Sequence, residues 1–259
     1  IHGDCLEVMP TLESGSVDMI LCDLPYGTTN CHWDSVIPFE PLWAQYKRLI
    51  KPRGAIVLFG SQPFTSALVM SNIEWFKYEW IWKKTHATGQ LNLNVRPMTE
   101  HENICVFASG KTTYNLQMTK KPKDKIRAPT RMGMSDCYGA QREYDRTVPI
   151  DMRSPTTVLQ FGSVNHGERG YHPTQKPIDL LAYLIRTYTN EGETILDNTM
   201  GSGSTIVAAI QEGRNAIGIE RDADYFAIAQ QRCLEATYQP SLFTPQPTQW
   251  EPVAMFGDD

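Results

Sequence analysis

The sequence predicts an α/β fold, a sheet of buried strands with helices on both faces, and three observations carry that prediction. Short apolar runs of strand length, such as Met19-Ile20-Leu21-Cys22, recur along the chain. They alternate with segments whose apolar residues follow the helical period. Two runs end in loops of unusual composition: Asp23-Leu24-Pro25-Tyr26 after the first, and Asn198-Thr199-Met200-Gly201-Ser202-Gly203-Ser204-Thr205 after Ile195-Leu196-Asp197.

Residues 16–22 read as a strand. Over 41–50, Leu42, Trp43, Tyr46, Leu49 and Ile50 keep the helical period, and Lys51-Pro52-Arg53-Gly54 stops that helix before a buried strand at 55–59. A short helix at 63–70 and strands at 78–82 and 103–107 follow, with Trp80 and Trp82, at strand spacing, expected in the core. Between 110 and 170 the periodicity fades and Pro, Gly, Lys, Arg and Thr take over. So long a structureless loop is foreign to a compact domain, so the stretch reads as an inserted, loop-rich region.

Order returns at Pro177, which suits the first turn of a helix whose Ile178, Leu181, Leu184, Ile185 and Tyr188 share a face. A strand at 194–196 and a helix at 205–211 ended by Gly213 come next. A strand at 216–219 then closes on Glu220, and Asp222 caps a helix to about 235. Pro240, Pro245, Pro247 and Pro252 mark a tail expected to lie across the surface or to be disordered. The expected division is therefore 1–109 and 171–236 as two halves of one α/β unit, 110–170 as the insert and 237–259 as the tail.

The chain has 259 residues, 41% of them hydrophobic and 20% charged, enough for one large α/β domain with an insert or for two small domains. No run is long and apolar enough to cross a bilayer and no secretory pattern opens the chain, so no membrane role and a cytoplasmic setting are expected. The first residue is Ile1 rather than Met, which leaves room for a few preceding residues, a first strand among them. The six cysteines form no CxxC pair and have no histidines at zinc spacing, so reduced thiols and no metal are expected, Cys31-His32 included.

A net charge of −5 argues against a chain that coats nucleic acid, but its distribution is uneven. Between Gly110 and Gly170 stand eleven Lys and Arg against six Asp and Glu, a local +5 that leaves −10 for the remainder. Lys120, Lys121, Lys123, Lys125, Arg127 and Arg131 are the densest part. The run reads either as a DNA-facing surface or as a solvated loop kept soluble by its lysines.

Strand, glycine loop, helix, strand and acid form the logic of a nucleotide-type site. Gly201 and Gly203 allow close approach of backbone to a ligand, and Glu220, 23 residues after Asp197, stands where a ribose diol would be bound. The spacing is GxGxT rather than GxGxxG, and a tight turn without a ligand is the competing reading.

Several motifs in one order resemble the β-group, or permuted, S-adenosylmethionine-dependent amino-methyltransferases of DNA, which modify adenine N6 or cytosine N4. Asp23-Leu24-Pro25-Tyr26 is similar to their DPPY tetrapeptide, and His172-Pro173-Thr174-Gln175-Lys176-Pro177 to their HPTQKP element. The stretch Asp197 to Thr205 resembles their cofactor loop, Gly218-Ile219-Glu220 their ribose-binding strand end, and Gly3-Asp4-Cys5 the loop over the cofactor adenine. The likeness runs from about Gly3 to Cys233. It implies a Rossmann-like methyltransferase sheet with permuted motif order and an inserted target-recognition region.

The resemblance implies site residues as well. Asp23, Leu24, Pro25 and Tyr26 would be catalytic; Asp4, Cys5, Lys176, Asp197, Thr199, Gly201, Ser202, Gly203, Thr205 and Glu220 would hold S-adenosylmethionine and release S-adenosylhomocysteine. Lys176 would meet the methionine part. Leu24 departs from the family's first proline; the chemistry there uses a backbone carbonyl, which Leu also has, so loop rigidity is what changes.

An aromatic amine is a poor nucleophile because its lone pair is delocalised. Asp23 and the Leu24 carbonyl would accept its two hydrogens, Tyr26 would stack on the base, and the base would have to leave the duplex. Family members for cytosine tend to carry Ser at the first position, so Asp23 favours adenine N6, with cytosine N4 as the alternative. Outside this class stand a non-catalytic cofactor-dependent DNA-binding module and a nicotinamide oxidoreductase. Trp33, after the tetrapeptide, reads either as a residue of a loop closing on DNA or as a buried anchor. His172 reads as a helix-entry residue packed on Tyr188. Double-stranded DNA is the implied partner, and the family admits a homodimer and a cognate restriction nuclease.

Overall fold

The computed structural model describes residues 1–27, 34–122, 126, 149–162 and 175–238. Its centre is β1 (Val17–Cys22), an apolar run buried on both faces. Ile20 and Cys22 pack with Leu42, Trp43, Tyr46 and Leu49 of α2 (Phe39–Leu49), after the short α1 (Cys5–Val8). Met19 and Leu21 pack on the other side with Leu180, Leu181 and Ile185 of a later helix. Strand period two thus sorts one sequence run into two core layers.

β2 (Ile50–Gly60) starts directly where α2 ends. Lys51-Pro52-Arg53-Gly54, expected only to stop the helix, lies within this strand as a bulge, the register with β1 passing from Val17↔Ile50 to Met19↔Ala55. A Cβ at Gly54 would lie 2.7 Å from the Asp18 carbonyl, which is why glycine sits there. After α3 (Phe64–Ser71), β3 (Phe76–Thr88) and β4 (Thr99–Phe107) form a long antiparallel hairpin. Only their apolar centres are legible as strands; Lys83 to Thr88 and Thr99 to Glu102 carry the hairpin beyond the core in a polar pattern that periodicity does not flag.

In the expected insert, β5 (Thr119–Lys120) pairs with β6 (Met152–Arg153), and β7 (Val158–Gln160) joins the edge of the main sheet parallel to β3. Three residues are too few for a hydrophobic pattern to announce a strand. Asn115 fastens the same stretch to the body, its Nδ2 donating to the carbonyls of Arg186 and Thr189. α4 (Ile178–Tyr188) begins after Pro177, and Tyr188 accepts from Trp80 Nε1 at 2.7 Å in the core. Both tryptophans, Trp80 and Trp82, are buried as expected.

β8 (Thr194–Asp197), α5 (Ser204–Gln211), β9 (Asn215–Gly218) and α6 (Ala223–Tyr238) follow the expected order. Asp222 Oδ1 accepts from the N–H groups of Asp224 and Tyr225, the cap read from the sequence. The seven-stranded sheet runs β7-β3-β4-β2-β1-β8-β9. β1 is parallel to both β2 and β8. The chain leaves β1 toward β2 and β8 toward β9, in opposite directions along the sheet. A switch point therefore lies beyond the carboxyl ends of β1 and β8, where open α/β sheets bind ligands. Ile1 to Gly3 runs beside the end of β9, with Gly3 N donating to the Glu220 carbonyl at 2.9 Å, and this brings Asp4 and Cys5 to the same crevice.

Candidate active site and cofactor cavity

A cavity of about 1130 Å³ opens at that switch point, and both special loops line it. The loop after β1 is held from inside: Leu24 is buried in the core, and Thr199 Oγ1 donates to the Asp23 carbonyl at 3.1 Å, tying the two loops together. Asp23 presents both carboxylate oxygens. Oδ1 accepts from Tyr26 Oη at 2.6 Å and Oδ2 from Lys176 Nζ at 2.6 Å. The Tyr26 ring stacks on Phe64, with centroids 5.0 Å apart.

Lys176 comes from the segment entering α4 and is itself buried. Its ammonium also lies 3.1 Å from Glu102 Oε2 of β4, within ion-pair range but without hydrogen-bond geometry. Glu102 Oε1 pairs with Lys84 Nζ of β3 at 2.6 Å. Four charges thus alternate in sign, Lys84, Glu102, Lys176 and Asp23. Burial pushes the Asp23 carboxyl upward, Lys176 opposes it and Glu102 adds to it. Burial acts in the same sense on Glu102, but Lys176 and Lys84 outweigh it and hold that carboxyl below its ordinary value. Burial would lower Lys176, yet the two carboxylates prevail and raise it. Burial and the Asp23 charge keep the Tyr26 phenol protonated.

The loop after β8 makes the opposite wall. Thr199 N donates to Asp197 Oδ1, while Gly201 N and Asp222 N donate to the two oxygens of Glu220, each at 2.8 Å. Gly201, Ser202, Thr205 and Glu220 line the cavity, as do Asp4 and Cys5. Gly203 lies outside the cavity wall. With φ of +81° and Ala229 Cβ of α6 only 3.0 Å from where a Cβ would stand, the turn and the packing of α6 both require glycine here. The cavity is continuous from Glu220 to Asp23, so an extended ligand with a diol at one end can place its other end beside Asp23 and Lys176.

Lys84, Glu102 and Arg232 belong to no motif of the sequence, and Asn198 stands there only as part of the glycine-rich loop. Asn198 Oδ1 accepts from Cys22 Sγ and Tyr46 Oη beneath the loop. Arg232 is buried and donates from Nη1 to the Ser202 carbonyl at 2.6 Å and to the hydroxyls of Ser202 and Ser204. Glu102 has a faint local sign, an acid at the edge of the apolar run from Ile104 to Phe107; Arg232 has none.

Lys120, in β5, is exposed, and Lys121 Nζ donates to the Ile150 carbonyl at 2.9 Å. Lys123, Lys125, Arg127, Arg131, Trp33, Cys31-His32 and His172 lie outside the described residues. Among the described residues no group of three or more His, Cys, Asp or Glu side chains could hold a metal ion, and no helix is long and apolar enough to cross a membrane.

Asp197 is buried, which pushes its carboxyl up to about 7, with Thr205 and Thr199 offsetting part of the rise. A carboxyl raised above its unfolded value of roughly 3.9 makes the folded state bind more protons, so its contribution falls as pH rises from about 4 through about 7. The unliganded protein should therefore lose on the order of 2–4 kcal/mol from this group by pH 8. Asp197→Asn should flatten that slope, read as the difference in Tm between pH 5 and pH 8; an identical slope in the variant would refute the assignment.

The DNA methylase family of N6 and N4 methyltransferases matches residues 17–231. The chain is 29% identical over 249 residues to Type II methyltransferase M.HpaI of Haemophilus parainfluenzae, covering 90% of this chain and 73% of that protein. It is 26% identical over 270 residues to Type II methyltransferase M.HinfI of Haemophilus influenzae, covering 93% and 69%. Among solved structures, the M1.HpyAVI–SAM complex superimposes with a TM-score of 0.59 at 26% identity, covering 90% of this chain and 98% of that one. The PvuII DNA methyltransferase (cytosine-N4-specific) has a TM-score of 0.61 at 15% identity, covering 89% and 84%, a likeness of fold.

Proposed function

The chain belongs to the DNA methylase family and is an S-adenosylmethionine-dependent DNA methyltransferase, and from that premise we propose that it methylates adenine N6 in duplex DNA after flipping the base into the cavity. The observation that carries the proposal is the half-buried Asp23 carboxylate at the carboxyl end of β1, which lines one cavity together with the glycine loop of β8. The domain roles follow: 1–109 and 171–236 build the catalytic body, 110–170 reads the target and 237–259 is a tail. The Type II names of M.HpaI and M.HinfI support a modification role beside a nuclease.

The cofactor, when bound, supplies a methyl group on a sulfonium, a good electrophile that needs no enzyme nucleophile. Glu220 would take the ribose hydroxyls on the lone pairs its backbone partners leave open. Asp4 and Cys5 would flank the adenine, and Asp197, Thr199, Gly201, Ser202 and Thr205 would form the floor, with Gly203 holding the turn. At the far end Asp23 would accept one hydrogen of the base amine and the Leu24 carbonyl the other. That would restore electron density to nitrogen and turn its lone pair toward the methyl donor. Asp23 would also take the proton that the nitrogen sheds. Pro25 fixes the backbone beside Tyr26, whose ring would stack on the flipped base and offset part of the lost duplex stacking.

The deciding experiment incubates the protein with tritiated S-adenosylmethionine and unmethylated genomic DNA, then digests to nucleosides. Label in N6-methyladenine is expected; label in N4-methylcytosine would overturn the base assignment, and absence of label would overturn the catalytic reading. For the basic run, neutralising pairs among Lys120, Lys121, Lys123 and Lys125 should reduce the slope of log affinity against log salt by about 0.9 for each DNA phosphate that a lysine no longer neutralises. An unaltered slope would return those lysines to the solvated-loop reading.

A further inference from the structure

Glu102 has an oxygen that the rest of the structure leaves without a hydrogen bond. Oε1 is taken by Lys84, whereas Oε2 is buried and lacks a hydrogen-bonding donor, although Lys176 Nζ stands only 3.1 Å away. Buried acceptors are rarely left so, because the loss of water is not compensated. The Lys176 ammonium is instead spent on Asp23 Oδ2, at 2.6 Å, the oxygen that the proposed chemistry needs for the base amine. The unliganded site therefore holds a filled acceptor where a substrate hydrogen must go and, 3.1 Å from the cation that fills it, a second carboxylate oxygen in ion-pair range whose hydrogen bond is not yet formed.

We propose that Lys176 is a two-position residue: it rests on Asp23 in the free enzyme and passes to Glu102 Oε2 when the target base enters, releasing Asp23 to the amine. The handover rests on the reading of Asp23 as the amine acceptor. Glu102 is a positioning residue in this scheme, acting on the reaction through Lys176, and Lys84 neutralises it from behind. The shift is short for a lysine with a flexible stem. The four charges of Lys84, Glu102, Lys176 and Asp23 sum to zero before and after, and the amine hydrogen takes the place of Lys176 on Asp23. The groups facing Asp23 are Lys176 from the segment before α4, Glu102 from β4, Tyr26 from its own loop and Asp197 from the end of β8.

Two substitutions should move the acid limb of the kcat profile in opposite directions. Glu102→Gln removes a like charge near Asp23 and leaves Lys176 on it, so the limb moves to lower pH while kcat falls at least about tenfold and cofactor affinity holds. Lys176→Met strips the counter-charge from Asp23, so the limb moves to higher pH. If Glu102→Gln does not fold, Glu102→Asp, whose carboxylate retreats from Lys176, should lower kcat and shift the limb in the same sense by a smaller amount. Wild-type kcat in Glu102→Gln, or limbs moving the same way in the two variants, would overturn the handover. So would a cofactor affinity weakened about tenfold in Lys176→Met with its limb unmoved, which would give that lysine to the methionine part of the cofactor. Wild-type enzyme assayed alongside separates the two failures: no methylated DNA from it sinks the catalytic reading itself, whereas an active wild type with an unchanged Glu102→Gln sinks only the handover.

Discussion

Asp23→Ala is expected to lower methyl transfer by at least about a thousandfold while cofactor affinity changes by no more than about threefold. The asymmetry follows from where Asp23 stands. Its carboxylate lies at the end of the cavity away from Glu220 and accepts from Tyr26 and Lys176, groups that also belong to that end. Truncation removes the acceptor that would draw a hydrogen from the amine in the transition state, an interaction that barely exists in the cofactor complex. Asp23→Asn gives an intermediate test, because its amide keeps one acceptor oxygen but no charge to hold Lys176 or receive a proton. Single-turnover transfer from tritiated cofactor measures the first quantity and calorimetry the second. Activity within tenfold of wild type would remove Asp23 from the chemistry.

The two working loops are legible in the sequence for a physical reason. Each follows a strand buried on both faces, so an apolar run stops abruptly at a carboxylate, as at Cys22-Asp23 and Leu196-Asp197, and such a boundary is visible without any tertiary knowledge. The Asp222 cap and the α2 stripe are visible because helix caps and helix faces are local. What stays hidden is long-range. Glu102 and Lys84 meet Lys176 only because β3 and β4 outrun the core as a polar hairpin, and no local spacing relates residues 84, 102 and 176. Arg232 looks like an ordinary charged helix residue until α6 folds over the back of the glycine loop. A glycine pair in a loop has two physical uses, and that Gly203 also makes room for Ala229 of α6 is a long-range fact that the sequence does not show.

Glu220 carries the second large expectation, and its hydrogen bonds make the test sharper than loss of affinity alone. Each carboxylate oxygen already accepts a backbone N–H, from Gly201 in the cofactor loop and from Asp222 at the entry to α6, and each retains a lone pair directed elsewhere. Glu220→Ala removes the diol acceptor and two charge-assisted hydrogen bonds that shape the wall at once. A charged acceptor is worth about 1.5–3 kcal/mol, so affinity for S-adenosylmethionine should fall roughly ten- to more than a hundredfold. The unliganded protein should lose about 1–3 kcal/mol of stability as well, since both N–H groups lose their partner. Glu220→Gln separates the two effects, because its single amide oxygen can satisfy one backbone N–H while the amide nitrogen faces the other. It should therefore weaken both the loop and the ribose interaction, but less than Ala does. Calorimetry and chemical denaturation on the same three proteins would read both quantities. Affinity unchanged in both variants would rule out the ribose role, and an affinity loss without any loss of stability would show that the backbone hydrogen bonds do not hold the loop.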